Sequence, residues 1–109
     1  MSVTFFDPNN PAVYNDDGDQ VGGGTEVNFN NHNAYGILML MGMCGPDNHD
    51  MFGDLDGDTF RKNCIRALSV IDMMQFNVKT NCFEICISLK GKISRLLVVF
   101  DDSERICWG

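Results

Sequence analysis

Between Phe60 and Met74 the apolar residues Phe60, Cys64, Ala67, Leu68, Ile71 and Met74 recur at intervals of three and four, with Arg61, Lys62, Arg66 and Ser69 between them. That spacing predicts an amphipathic helix over 59–74, started by Asp56 or Asp58, either of which would cap free N–H groups and oppose the helix dipole. Upstream, Thr25 to Asn30 alternates polar with apolar residues and predicts a strand at 25–30 with Val27 and Phe29 facing inward. Asn31-His32-Asn33 offers capping side chains, and Ala34 to Met41 is apolar all round. A buried helix over 33–42 follows, with Gly42 as its stop. Gly36 inside it costs on the order of 1 kcal/mol relative to Ala, which marks a close backbone contact.

Asn81 to Ser88 also alternates, with Phe83, Ile85 and Ile87 on one side and Cys82, Glu84 and Cys86 on the other. It reads as a strand at 82–88. Residues 94–102 are ambiguous. Leu96, Val99 and Phe100 suit a helix face, whereas Val98-Val99-Phe100 suits a hairpin partner turning at Lys90-Gly91-Lys92. Arg105 to Trp108 reads as a terminal edge strand. Residues 1–24 hold Pro8, Pro11, the turn Asn15 to Asp19 and the run Gly22-Gly23-Gly24, which together read as an irregular arm pinned by Phe5, Phe6, Val13 and Tyr14, with the glycines as a flexible hinge. Cys44 to Gly57 reads as an acidic loop.

Several of these segments resemble small uncharacterised bacterial and phage proteins: Asn33-Ala34 with Leu38, Leu40 and Gly42, the run Arg61 to Leu68, an alternating strand, and the ending Cys107-Trp108-Gly109. The resemblance spans residues 27–109. It implies a helix for the penultimate apolar segment, at 93–101, and brings no activity with it. The expected fold is α+β: residues 25–109 as one domain in which a sheet of about three strands, 25–30, 82–88 and 105–108, packs against two or three helices. A chain of 109 residues has room for a single core of two layers.

Charge alters this picture more than composition does. The chain carries fifteen acids and eight bases, a net −7. All eight bases lie at or beyond Arg61, while residues 1–60 carry ten acids and no Lys or Arg. Direct nucleic-acid binding is disfavoured, because phosphate surfaces depend on Lys and Arg. Met1 to Asn10 has no base ahead of its apolar stretch, and the longest apolar run, Ala34 to Cys44, is half the length of a membrane span. A cytoplasmic setting is expected, in host cytoplasm for a phage product. Five cysteines, an odd number, then read as free thiols packed as small hydrophobes.

Candidate chemistry is thin. Gly57 falls between Asp56 and Asp58, which breaks the calcium-loop spacing, and no cofactor or metal is called for. On a strand, Cys82 and Cys86 would lie too far apart to share zinc. Cys44, His49 and Asp50 supply residue types for a thiol nucleophile but no oxyanion hole. Arg61, Lys62 and Arg66 read as the solvated face of their helix. The expectation is a non-catalytic interaction protein, in its most concrete form a phage-encoded inhibitor of a host defence or nucleic-acid enzyme. Asp47, Asp50, Asp54, Asp56 and Asp58 would face a basic protein partner, and Arg105 and Trp108 would anchor the interface. Two alternatives stay open: a binder of a small ligand or divalent cation, with its pocket between subunits, and a homo-oligomer built through the final strand and the Met-rich surface.

Overall fold

The computed structural model describes residues 2–45, 50–75 and 80–109, apart from the side chains of 75 and 80–84. The chain order is β1 (Ser2–Phe6), β2 (Val13–Tyr14), β3 (Gln20–Gly22), β4 (Val27–Asn30), α1 (Asn31–Leu40), β5 (Gly53–Asp56), α2 (Gly57–Gln75), α3 (Thr80–Val99) and β6 (Arg105–Trp108). Strands β4-β1-β6-β5 form one antiparallel sheet in that order, and β2-β3 form a separate two-stranded sheet. The fold is α+β, as the pattern predicts.

Period-two alternation sends one side of the four-stranded sheet inward: Val3 and Phe5, Val27 and Phe29, Ile106 and Trp108 are buried. Helices α1 and α2 cover that side with Ala34, Ile37 and Leu38 of α1 and Phe60, Cys64, Ala67 and Ile71 of α2, and α3 packs on both helices with Cys86, Ile93 and Leu96 in the same core. Phe5 is the hinge of the packing, with its ring 5.9 Å from Phe29, 6.1 Å from Phe60 and 6.0 Å from Trp108. Such edge and offset contacts add about 0.5–1.5 kcal/mol each beyond area burial. The cap of α1 is Asn30, one residue before the Asn31–Asn33 run expected to supply it, so the helix starts at Asn31 and not at 33. Asn30 Oδ1 accepts from Asn33 N–H at 2.9 Å at the start of α1, and Gly42 ends the helix at φ +74.

Four expectations need correction. Residues 82–88 are not a strand, since they lie within α3. The helical spacing Cys86, Leu89, Ile93, Leu96, Phe100 points inward and prevails over the local alternation, leaving Ile85 and Ile87 half exposed. Residues 82 and 86 are therefore one helical turn apart, and the Lys90-Gly91-Lys92 turn does not form. The arm is not irregular from its start: Ser2–Phe6 is an interior strand, paired with β4 and β6. The acidic loop contains the edge strand β5, which pairs with β6 through Asp54↔Cys107 and Leu55↔Ile106. That pairing makes Arg105–Trp108 an interior strand, not an edge.

Candidate functional site

Two clusters of acids stand apart in the fold. The first lies at the junction of β5 and α2, where the fold itself uses the carboxylates. Asp56 caps α2: its Oδ2 accepts from Thr59 N–H at 3.0 Å and from the Thr59 hydroxyl at 2.9 Å. Those bonds, the backbone one foremost, hold the Asp56 carboxyl below its ordinary range. Asp58 pairs with Arg61 at 3.0 Å, and Asp54 pairs with Arg105 across the β5–β6 ladder. Asp50 takes part in an interaction of its own, and Asp47 lies outside the described residues.

Arg61 does more than neutralise Asp58. Its Nη1 donates to Phe100 O at 2.9 Å and to Ser103 O at 2.8 Å, tying the end of α3 and the following turn to α2. Arg66 donates to Met41 O at 2.9 Å and closes the end of α1. Two of the three bases read as a solvated helix face are thus staples between elements. Gly57 is required beside Arg61, because a Cβ there would sit 1.8 Å from Ser103 O. The small cleft bounded by Asp56, Asp58, Arg61, Asp102 and Glu104 is about 210 Å³.

The second group is the β2–β3 hairpin. Its strands pair only with each other, in the register Val13↔Gly22 and Tyr14↔Gln20. Asn15 builds the turn, with Oδ1 accepting from Asp17 N–H at 3.0 Å and Asp19 N–H at 2.9 Å, and with Gly18 at φ +84. At the base, Gln20 Nε2 donates to Gly22 O and Gly24 O, and Gly24 N–H donates to Asn10 O. The glycine run is therefore a tight crossing and not a flexible hinge. A Cβ at Gly23 would lie 1.9 Å from Pro11 O, and Gly23 has φ +77. Asp16, Asp17 and Asp19 are exposed at the tip, and Val13, Tyr14 and Val21 are each more than half exposed along the strands. Burial and the Glu26 carboxylate push the Tyr14 hydroxyl upward in pKa.

The expected interface anchors behave differently. Trp108 lies in the core, with its indole N–H buried and without a hydrogen-bond partner among the described residues, and Gly53 makes room for its ring: a Cβ there would be 2.8 Å from Trp108 Cζ2. Arg105 is held by Asp54. Cys44 and Cys64 are buried free thiols. Burial pushes Cys64 up to about 12, and it also raises Cys44, whose Sγ–H points at Tyr35 O at 3.8 Å. His49, the base expected beside Cys44, lies outside the described residues. Among the described residues no three His, Cys, Asp or Glu side chains converge as metal ligands, and no helix is long and apolar enough to cross a membrane.

Besides the acids of the 44–58 segment, the hairpin carries a second exposed acidic cluster, Asp16, Asp17 and Asp19, which the sequence reading left inside an irregular arm. The available signal was the pairing of Val13-Tyr14 with Gln20-Val21 around an Asn-Asp-Asp-Gly-Asp turn. No family model, curated protein or solved structure matches this chain.

Proposed function

We propose that the protein is a non-catalytic interaction protein that occupies a basic surface of a partner protein, with the β2–β3 hairpin as its leading element. The observation that carries this reading is the hairpin's makeup: three exposed aspartates at the tip, three exposed apolar side chains on the strands, and no Lys or Arg anywhere in residues 1–60. An isolated two-stranded hairpin is marginally stable in water, so exposed Val13, Tyr14 and Val21 gain most by being covered. The carboxylates steer the encounter, and the apolar residues supply the contact area. Asp50, Asp54, Asp56 and Asp58 form a second acidic zone, in which Asp54, Asp56 and Asp58 already bond to neighbouring groups of the fold.

The most concrete form of this role is a phage-encoded inhibitor that covers the basic site of a host defence or nucleic-acid enzyme in the cytoplasm. The test immobilises the full chain and compares proteins retained from host lysate by wild type and by the D16K/D17K/D19K variant. The reading expects a protein with a basic surface to be retained by wild type and lost by the variant. An unchanged retained set overturns it.

A further inference from the structure

Charge divides the chain into two regions of opposite sign. Residues 7–26, which contain the β2–β3 hairpin, hold five acids and no Lys or Arg. Residues 57–99, which contain α2 and α3, hold seven of the eight bases against three acids. The acidic region exposes Val13, Tyr14 and Val21 beside its carboxylates. A surface of matching makeup, basic with exposed apolar side chains, lies on the outer side of the α2–α3 pair.

Arg61, Ile65, Leu68 and Asp72 follow one another at steps of four and three along one edge of α2, and Lys90, Ser94 and Val98 at steps of four along one edge of α3. The two edges face each other, because Arg61 donates to Phe100 O at one end and Lys90 donates to Asp72 at 2.7 Å at the other. These ties set Ile65 level with Leu97 and Val98. Ile65 is 57% exposed and Val98 74%, so neither belongs to the core. Lys62 stands one turn before Ile65, and Arg95 one turn before Val98. Both bases are exposed, and among the described residues neither is paired with a carboxylate, whereas Arg61 and Lys90 are.

We infer that the hairpin of one copy docks on the α2–α3 surface of a second copy, with Asp16, Asp17 and Asp19 toward Lys62 and Arg95, and Val13, Tyr14 and Val21 over Ile65 and Val98. The two surfaces are complementary in sign, each carries apolar side chains at its centre, and both stay open within one chain. The final strand, expected to build a homo-oligomer, lies inside the sheet and has no free edge. The contact joins two different surfaces, so it closes into a pair where each hairpin reaches the other copy's helices, and otherwise grows into a chain. It rests on the reading that the hairpin seeks a basic surface, and adds that this chain itself carries one.

Sedimentation equilibrium of the full chain from about 10 μM to about 1 mM tests the inference. In about 0.1 M sodium chloride, where a Debye length of about 10 Å screens the net repulsion between chains but not charges in contact, the mean mass should rise with concentration. In about 1 M sodium chloride the association should weaken about tenfold or more. The variants D16K/D17K/D19K and K62E/R95E should each stay monomeric. Their equimolar mixture should associate again, because the reversed hairpin of the first then meets the reversed helices of the second, and this rescue shows that both are folded. A wild type that stays monomeric, or association that either charge reversal leaves unchanged, overturns the inference. A monomeric wild type that still retains a basic protein from lysate overturns it alone, whereas intact self-association with no such protein retained supports it and overturns the basic-partner reading.

Discussion

Three aspartates within four residues at the hairpin tip, Asp16, Asp17 and Asp19, and three within five at the β5–α2 junction, Asp54, Asp56 and Asp58, are nearly the same sequence feature. The structure uses them differently. At the junction a helix start and two arginines stand within reach, so each carboxylate meets an N–H, a hydroxyl or a guanidinium. All six are exposed, but at the hairpin the turn is built by the Asn15 side chain and the backbone, with the carboxylates of Asp16, Asp17 and Asp19 outside those bonds. Acid density alone therefore does not tell which carboxylates the fold engages. What matters is whether the fold places its own donors beside the acids.

That contrast is broken most severely at the junction. Gly57→Ala drives a Cβ into Ser103 O and should cost about 3 kcal/mol or more in urea unfolding. The same change at exposed Gly18 meets no neighbouring atom and should cost less, since only its positive φ opposes it. Arg61→Ala comes next. It strips charge-assisted donors from two backbone carbonyls and should cost about 1.5–3 kcal/mol, read as a lower denaturation midpoint.

A smaller effect is expected from Asp56→Asn, which weakens the α2 cap and should lower the melting temperature modestly. Because the folded carboxyl sits below its ordinary value of 3.8, its stabilisation is complete above that value and is lost as pH falls through the lower folded-state pKa. Between neutral pH and acid, thermal melts of wild type should therefore lose this increment while Asp56→Asn has none to lose. The smallest effect belongs to the hairpin. Asp16→Asn, Asp17→Asn and Asp19→Asn together should leave the melting temperature unchanged, since the turn's bonds come from Asn15 and the backbone.

Much of the fold is legible in the sequence wherever periodicity extends over several turns or a strand carries two inward apolar residues. The α2 stripe from Phe60 to Ile71 and the Val27/Phe29 pair are of this kind. Legibility fails where a short window supports two periods. Cys82 to Ser88 alternates locally, and only its continuation through Ile93 and Leu96 makes the helical spacing decisive. It fails again where one side chain must stand for a strand, as Leu55 does in β5. Ser2 to Phe6 does alternate, but the following Asp7-Pro8 obscures a strand whose partners lie more than twenty residues away. The acidity of the candidate site is plain from the sequence. Which of its carboxylates the fold pairs depends on contacts such as Asp54–Arg105, 51 residues apart, which no local pattern encodes.

The most direct measurement is an amide NMR titration of the full, isotope-labelled chain with a decalysine peptide as a defined basic probe. The hairpin amides from Tyr14 to Val21 should shift together along one saturating isotherm while those from Gly53 to Asp58 stay near their free positions. Equal or larger shifts at Gly53 to Asp58, or no shifts in the hairpin, would contradict the account.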